Sequence, residues 1–341
     1  MKILVTGGTG YIGSHTVVEL LNESYEVVIA DNLSNSKADV VEKIEEITGK
    51  KIHFEKTDLS CHSATAELFE KYNGFDGVIH FAAFKAVGES VKEPLKYYHN
   101  NIYSLINLMN EMEKWNTKFL VFSSSCTVYG QPEELPVTEK ASVQKAMSPY
   151  GNTKQIAEEI ITDYSFSNPN FNAILLRYFN PIGAHPSAKI GELPIGVPQN
   201  LVPYITQTAI GKREKLSIFG NDYSTPDGTC IRDYIHVVDL AQAHIAALKR
   251  LTEQNNEQNV EVFNVGTGNG FSVLEIINSF EKVSNQKLPY EFAPRREGDI
   301  EKVWANTTLA NEKLKWKAKL TLDEMLLSAW NWEKNINKNK E

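Results

Sequence analysis

The chain opens on an apolar run, Lys2-Ile-Leu-Val-Thr6, that is cut short by glycines and reads as a buried strand. Val17, Leu20 and Leu21 then recur at helical spacing, so a helix begins within the glycines. Glu26 to Ala30 is a second apolar run and ends in Asp31. Lys51 to Lys56, Gly77 to Phe81, Lys118 to Phe122 and Asn172 to Phe179 read as further strands, with Pro94 to Glu113 and Tyr150 to Asp163 as helices between them. Strands fed by intervening helices imply an α/β fold with a doubly wound parallel sheet. From Asn180 the rhythm weakens, and Gly and Pro become frequent as far as Pro203, which marks a domain boundary. Tyr234 to Leu248 reads as a strand end and a helix returning to the first lobe. Val262 to Val265, Val273 to Val283 and Leu322 to Trp332 follow as a strand and two helices. The expected division is a first domain over 1–180 plus about 234–264, and a smaller C-terminal α/β substrate domain over 181–233 plus about 265–341.

The length of 341 residues allows a large core and two lobes. A net charge of -8 argues against nonspecific binding to nucleic acid or to an anionic membrane. Cys61, Cys126 and Cys230 are far apart and form neither a zinc pattern nor a disulfide framework, which points to a reducing cytosol. No apolar run reaches membrane-spanning length, and a strand at Lys2 leaves no place for a signal peptide. The Lys/Asn-rich stretch from Glu333 to Glu341 reads as a solvated end.

The chemistry starts with Gly7-Gly8-Thr9-Gly10-Tyr11-Ile12-Gly13. Between a strand and a helix these glycines permit a tight turn and let the backbone approach a pyrophosphate at the helix N-terminus. Asp31 ends the second strand, where an acid can bind an adenosine ribose diol. A carboxylate there repels a 2′-phosphate and no Arg follows it, so NAD is expected in preference to NADP. Ala82 and Ala83, small residues at a strand end, would let a ligand come close. Ser123-Ser124-Ser125 ends the fifth strand, and Tyr150 stands four residues before Lys154. Ser148 suits the cap of that helix and Pro149 its first turn, and the spacing puts both side chains on one face. An isolated tyrosine has a pKa of about 10, which a neighbouring ammonium lowers. Bringing it to about 7 requires roughly 4 kcal/mol; the lysine would supply part of this and a cationic nicotinamide more. The same spacing fits a surface tyrosine beside a solvated lysine, and the glycine fingerprint is what argues otherwise. Ser125 by itself could merely cap a turn. It lies in no Gly-x-Ser-x-Gly elbow, which argues against a serine hydrolase.

These motifs, with His80-Phe81-Ala82, Ser123 to Gly130, Arg177 to Pro181, Gly220 to Tyr234 and Arg295-Arg-Glu-Gly-Asp299, resemble the extended short-chain dehydrogenase/reductase family. Within it the chain is similar to the UDP-hexose 4-epimerases over nearly its whole length. The glycine and Tyr-x-x-x-Lys motifs mark only the superfamily, whereas Gly220 to Tyr234 is much more specific to the epimerases. Related dehydratases carry an Asp-Glu pair after the strand-five Ser/Thr, and decarboxylases a Glu. Here Cys126, Thr127 and Val128 follow Ser125, and an elimination would lack its acid and base.

The resemblance implies a Rossmann-type first domain and assigns Ser125, Tyr150 and Lys154 to catalysis. For the cofactor it implies Gly7, Gly10, Tyr11, Ile12 and Gly13 at the turn, with Asp31, Asn32, Asp58 and Leu59 beyond it. Phe81, Ala82, Lys85, Asn100, Lys154 and Tyr178 would complete that site. Asn180, Asn200, Leu201, Arg232, Arg296 and Asp299 would hold UDP, Ser217 and Phe219 would meet the uracil, and Val303 would sit at the sugar wall beside Ser125 and Tyr150. Arginine suits phosphate oxygens, although Arg232 read by itself fits a salt bridge to Asp233 or Asp227 equally well. The implied activity interconverts UDP-glucose and UDP-galactose by transient oxidation at C4, with NAD kept bound. Family members with a small residue at the position of Val303 also accept the N-acetylated sugars, although valine there equally fits plain packing against Trp304 or the core, with other wall residues closing the pocket. The resemblance further implies a homodimer built on helices 94–113 and 150–163, with Leu105, Leu108 and Ile160 available to a partner, and the cysteine pattern makes it cytoplasmic. A UDP-glucuronate epimerase would need a further cation near the sugar C6, and a net dehydrogenase would need soluble NAD. A silent NAD-sensing protein would be expected to have lost the Tyr or the Lys.

Overall fold

A computed structural model describes residues 1–296 and 299–338. Glu297 and Gly298 of the Arg295–Asp299 motif, and the last three residues of the Lys/Asn-rich tail, lie outside the described residues. From the N-terminus run β1 (Lys2–Thr6), α1 (Tyr11–Asn22), β2 (Glu26–Asp31), α2 (Asp39–Thr48), β3 (His53–Lys56), α3 (His62–Tyr72) and β4 (Gly77–His80). Then come α4 (Val87–Lys92), α5 (Pro94–Lys114), β5 (Phe119–Ser123), α6 (Pro149–Ser167), β6 (Asn172–Tyr178) and β7 (Asn180–Ile182). The next elements are α7 (Leu201–Ala209), β8 (Leu216–Phe219), β9 (Ile231–His236), α8 (Val237–Thr252) and β10 (Val260–Val265). The chain continues through β11 (Gly270–Ser272), α9 (Val273–Ser284), β12 (Tyr290–Ala293), β13 (Lys302–Val303), α10 (Thr308–Lys313) and α11 (Leu322–Lys338).

Alternate residues of the apolar strands enter two different cores. Ile3, Val5, Ile29, Ile79, Val121 and Ile174 pack with Val17 and Leu20 of α1 and Leu240 and Leu248 of α8. Leu4, Val28, Val78, Leu120, Phe122 and Leu175 pack on the other face with Leu105 and Leu108 of α5 and Ile161 of α6. Burial on both faces explains why these strands are continuously apolar. The sheet runs β10-β6-β5-β4-β1-β2-β3 with every pair parallel. The order reverses between β1 and β4, and a ligand crevice opens at such a switch point.

Smaller sheets follow. β9 pairs with β7, β11 and β13, and β8 pairs with β12. Ile182, Ile205, Ile218, Ile277, Phe280, Leu326 and Trp330 form the core beside them. The chain passes between the two cores repeatedly. It leaves the large sheet after β6, returns with α8, and leaves again after β10. Ala310, Leu314 and Trp316, within and just after α10, pack back into the α1 and α8 core, before α11 joins the second core.

The strands of the large sheet and helices α1, α5, α6, α8 and α9 fall where the periodicity puts them, within a few residues, whereas α11 extends to Lys338 and β7, β8, β11, β12, β13 and α7 carry no expectation. Helices α2 and α3 are not among the expected elements, although Val40, Val41, Ile44 and Ile47 of α2 recur at helical spacing and pack on the α1 core, and α3 buries Thr65, Leu68 and Phe69. Two expectations are corrected. Glu333 does not open a solvated end, because α11 runs on to Lys338 and Glu333 is buried, accepting from Lys212 Nζ at 2.6 Å. Leu105 and Leu108 do not face a partner, because they are fully buried against the sheet, and Ile160 packs at the edge of the same core. The outward faces of α5 and α6 carry Leu95, Tyr103, Ile106 and Phe166 instead.

Four histidines are buried in the fold. Burial lowers His15 and His80 to about 3, and His236 and His244 to about 4. The Nε2 atoms of His15 and His244 have no partner among the described residues. Above pH 6.5 both folded and unfolded chains hold them neutral. Below it the unfolded chain takes up protons that the folded one refuses, so stability falls with pH down to the folded-state values. Stability against thermal unfolding should therefore fall from pH 7 to 5.5, by on the order of 1 kcal/mol per histidine. A melting temperature flat across that interval would contradict this.

Candidate active site

β1 ends in a turn that only glycine can make. Gly7 has φ +68°, and a Cβ there would stand 2.8 Å from the backbone N of Ala82 at the end of β4. A Cβ on Gly13 would stand 2.2 Å from the carbonyl of Gly7, so α1 starts hard against the turn. Gly10 is its N-cap and offers no side chain, and no acid occupies the first turn. The amides of Tyr11, Ile12 and Gly13 therefore begin the helix uncapped, open to an anion. Buried Asp31 accepts from Thr9 N at 3.2 Å, Leu33 N at 2.9 Å and Ser36 Oγ at 3.2 Å. These bonds fix the carboxylate at the end of β2, where it suits a ribose diol. The pieces fit a dinucleotide.

The other cofactor candidates differ in what their side chains have free. Asn32 accepts from Ser34 N, and Asp58 from Ser60 N and Oγ. Leu59 is buried in the core under α5 and α6, so it can meet a ligand only through its backbone. Its carbonyl already accepts from Asn107. Ala82 N donates to Thr6 Oγ1, Phe81 packs on His244, and Asn100 Nδ2 donates to Asn101. Tyr11 OH donates to Gly183 O at 2.7 Å. Lys85 Nζ lies 3.4 Å from Glu192 Oε1.

The catalytic candidates converge at the end of β5. Ser148 Oγ accepts from Gly151 N at 3.1 Å and caps α6, with Pro149 in the first turn. Tyr150, Ser125 and Lys154 are all buried. Lys154 Nζ donates to Ser123 O at 2.6 Å and sits 4.8 Å from the centre of the Phe122 ring. Burial lowers the ammonium to about 8, against the pull of Glu158. Burial also raises the Tyr150 phenol well above its ordinary value; Tyr178 adds to this, and the hydroxyl of Ser125 opposes it. The acidifying neighbour of the phenol is thus Ser125, more than the lysine that the spacing suggests. Tyr178 OH shares a 2.7 Å hydrogen bond with Ser123 Oγ, and burial pushes it up to about 12. Ser125 Oγ also accepts from Thr127 N at 3.2 Å. The buried hydroxyl of Thr127 has no partner among the described residues, and no carboxylate occupies positions 126 to 128.

Two contributors escape sequence reasoning. Glu158, one turn beyond Lys154, accepts from Arg177 Nε at 3.0 Å and Nη2 at 2.6 Å, and from Ser124 Oγ at 2.5 Å. Its only advance signal is the i, i+4 spacing from Lys154. Glu192 has no local signal at all.

The substrate candidates gather on the small sheets and α7. Arg232 pairs with neither Asp233 nor Asp227 among the described residues. Its Nη1 donates to Ile231 O, and Nη2 lies 3.5 Å from Asp299 Oδ1. Arg296 approaches Asp299 at 3.8 Å and stacks on Phe219 at 4.3 Å. Asp233 instead accepts from Thr267 N and Oγ1, Gly268 N and Ala305 N. Ser217 lies within β8 beside Phe219, Asn180 opens β7, and Asn200 stands at the N-cap position of α7 ahead of Leu201. Val303 is 4% exposed and packs with Val128, Tyr129, Val137 and Phe179.

A sequence profile of the GDP-mannose 4,6 dehydratase family matches residues 4–328. UDP-glucose 4-epimerase of Bacillus subtilis (strain 168) is 52% identical over 99% of this chain and 98% of its own. The chain belongs to the UDP-glucose 4-epimerase family, within the extended short-chain dehydrogenase/reductases. The epimerase of Stenotrophomonas maltophila, solved with NAD and formylated UDP-arabinopyranose, superposes with TM-score 0.96 at 46% identity, covering 99% of both chains. That of Bifidobacterium longum, solved with NAD+ and UDP, gives 0.94 at 45% identity, covering 100% of both. Membership of the epimerase family agrees with the absence of an acid after Ser125. The family is NAD-dependent, and the glycine turn and Asp31 are the features of this chain that suit the cofactor.

Tyr150→Phe keeps the ring and removes the proton acceptor. Turnover should fall at least about a hundredfold, the lower end of what positioned proton transfer contributes. NAD should remain bound, as measured by extraction and chromatography. Near-normal turnover in that variant would remove Tyr150 from the chemistry.

Proposed function

We propose that the protein interconverts UDP-glucose and UDP-galactose at a single site, with no net redox change. The observation that carries this is the buried group of Ser125, Tyr150 and Lys154 at the end of β5, with no acid after Ser125. NAD, when bound, supplies a cationic nicotinamide that takes up the hydride from sugar C4 and returns it. Tyr150 Oη takes the proton of the sugar 4-hydroxyl and later gives it back, and Ser125 Oγ bridges that transfer. Lys154 favours the phenolate and holds the nicotinamide ribose. Asn180, Asn200, Leu201, Arg232, Arg296 and Asp299 hold UDP, while Ser217 and Phe219 receive the uracil. A sugar that presents both faces of C4 must be held loosely, so UDP carries the binding.

The domain division expected at Asn180, with 234–264 returning, belongs to the same reading, and so does action in the cytosol. The three cysteines are unpaired, as a reducing compartment requires. Among the described residues no helix is long and apolar enough to cross a membrane. A wider range that includes the N-acetylated pair rests on Val303, a short side chain held within an apolar cluster.

Purified protein incubated with UDP-galactose, and in parallel with UDP-N-acetylglucosamine, is the direct test, with no NAD added. UDP-glucose should appear in the first reaction. No conversion by NAD-loaded protein would sink the function, whereas silence towards the acetylated sugar alone would remove only the wider range.

The homodimer rests on α5 and α6, whose outer faces expose Leu95 at 81%, Phe166 at 80% and Tyr103 at 54%. Light scattering should report twice the chain mass of 38.4 kDa, and Tyr103→Lys should shift the particle towards monomer. A concentration-independent monomer of the parent protein would remove this claim.

A further inference from the structure

The loop between β7 and α7 holds a carboxylate that the glycine turn and the tyrosine-lysine pair leave unexplained. Glu192 Oε1 accepts from Asn200 Nδ2 at 2.6 Å and lies 3.4 Å from Lys85 Nζ. The Glu192 side chain is 12% exposed and that of Lys85 is 52% exposed. The main chain of Glu192 is held too. Its carbonyl accepts from Trp332 Nε1 on α11 at 3.0 Å. A Cβ on the preceding Gly191 would stand 2.6 Å from Trp332 Cγ, so the loop can pass the indole only as glycine. Asn200 stands at the N-cap of α7, yet its side chain caps nothing there. Its amide is turned across to Glu192 and closes the base of the 193–199 loop. Glu192 also lies close enough to Tyr11 for its charge to add to the burial that keeps that phenol protonated.

One carboxylate therefore joins Lys85, whose Nζ lies 5.9 Å from the centre of the Tyr11 ring at the cofactor turn, to Asn200, which the resemblance assigns to UDP. We infer that Glu192 is a positioning residue that couples the two ligand sites. It holds Lys85 towards the cofactor and Asn200 towards UDP. This rests on the proposed function, so the test reads binding and not turnover.

Glu192→Gln keeps an acceptor for Asn200 and removes the charge that pairs with Lys85, whereas Glu192→Ala removes both. NAD retention is measured by chromatography of extracts after dilution, UDP affinity by calorimetry, and folding by melting temperature. The glutamine variant should bind UDP as the parent does and release NAD about two- to fivefold faster, the scale of a half-exposed ion pair. The alanine variant should do the same to NAD and also weaken UDP binding about tenfold, the scale of a lost hydrogen bond to a charged group. Both should melt close to the parent. Parental UDP affinity and NAD retention in the alanine variant would overturn the inference, as would a lowered melting temperature with both affinities intact. A parent protein that binds neither NAD nor UDP would overturn the functional reading, and this one with it.

Discussion

The site depends on burying one ammonium. An unpaired charge in a protein interior is costly, and Lys154 has a single hydrogen bond among the described residues, to the carbonyl of Ser123. The face of Phe122 and the charge of Glu158 supply the rest of its environment. For that bond to form, α6 must start at Ser148 and lie across the end of β5. The same placement delivers Tyr150 to Ser125. Glu158 cannot swing over to neutralise the lysine, because Arg177 and Ser124 already hold it. Helix position and local electrostatics are thus one constraint. Lys154 stays mostly charged at neutral pH, and its charge is lost as pH rises through about 8.

Most of the first core was legible because its signals are local. Ile3 and Leu4 enter opposite cores, yet both are apolar, so the run announces a doubly covered strand without showing its partners. The glycine turn was legible for the same reason, since Gly7 and Gly13 answer to contacts within a few residues or at the neighbouring strand end. Leu105 and Leu108 were misjudged because a helix with apolar residues on more than one face does not say which face meets the sheet. The sheet takes those two, and Tyr103 and Ile106 are left outside.

The region beyond Asn180 was less legible because its contacts are long-range. Glu192 meets Lys85 across 107 residues and its backbone meets Trp332 across 140. Arg232 meets Asp299 across 67 residues, where nearby Asp233 and Asp227 were the obvious local partners. Asp233 has other work, joining β9 to the loop after β10 and to the residue beside Trp304. No window of sequence contains such pairings; the family resemblance names Arg232 and Asp299 without their contact and does not name Glu192.

The repeated passage of the chain between the two cores has a mechanical consequence. Lobes joined by one linker can swing apart on a hinge by changing a few backbone dihedrals. Here the connections after β6, before α8, after β10 and on either side of α10 are separate threads through the same seam. Swinging the halves apart would bend all of them together and strain the packed helices on each side. Opening such a seam costs more than opening a single hinge, so moving surface loops is the easier way to admit a ligand. An enzyme whose oxidant is regenerated within every turnover has no need to discharge it, and a stitched cleft of this kind favours keeping it in.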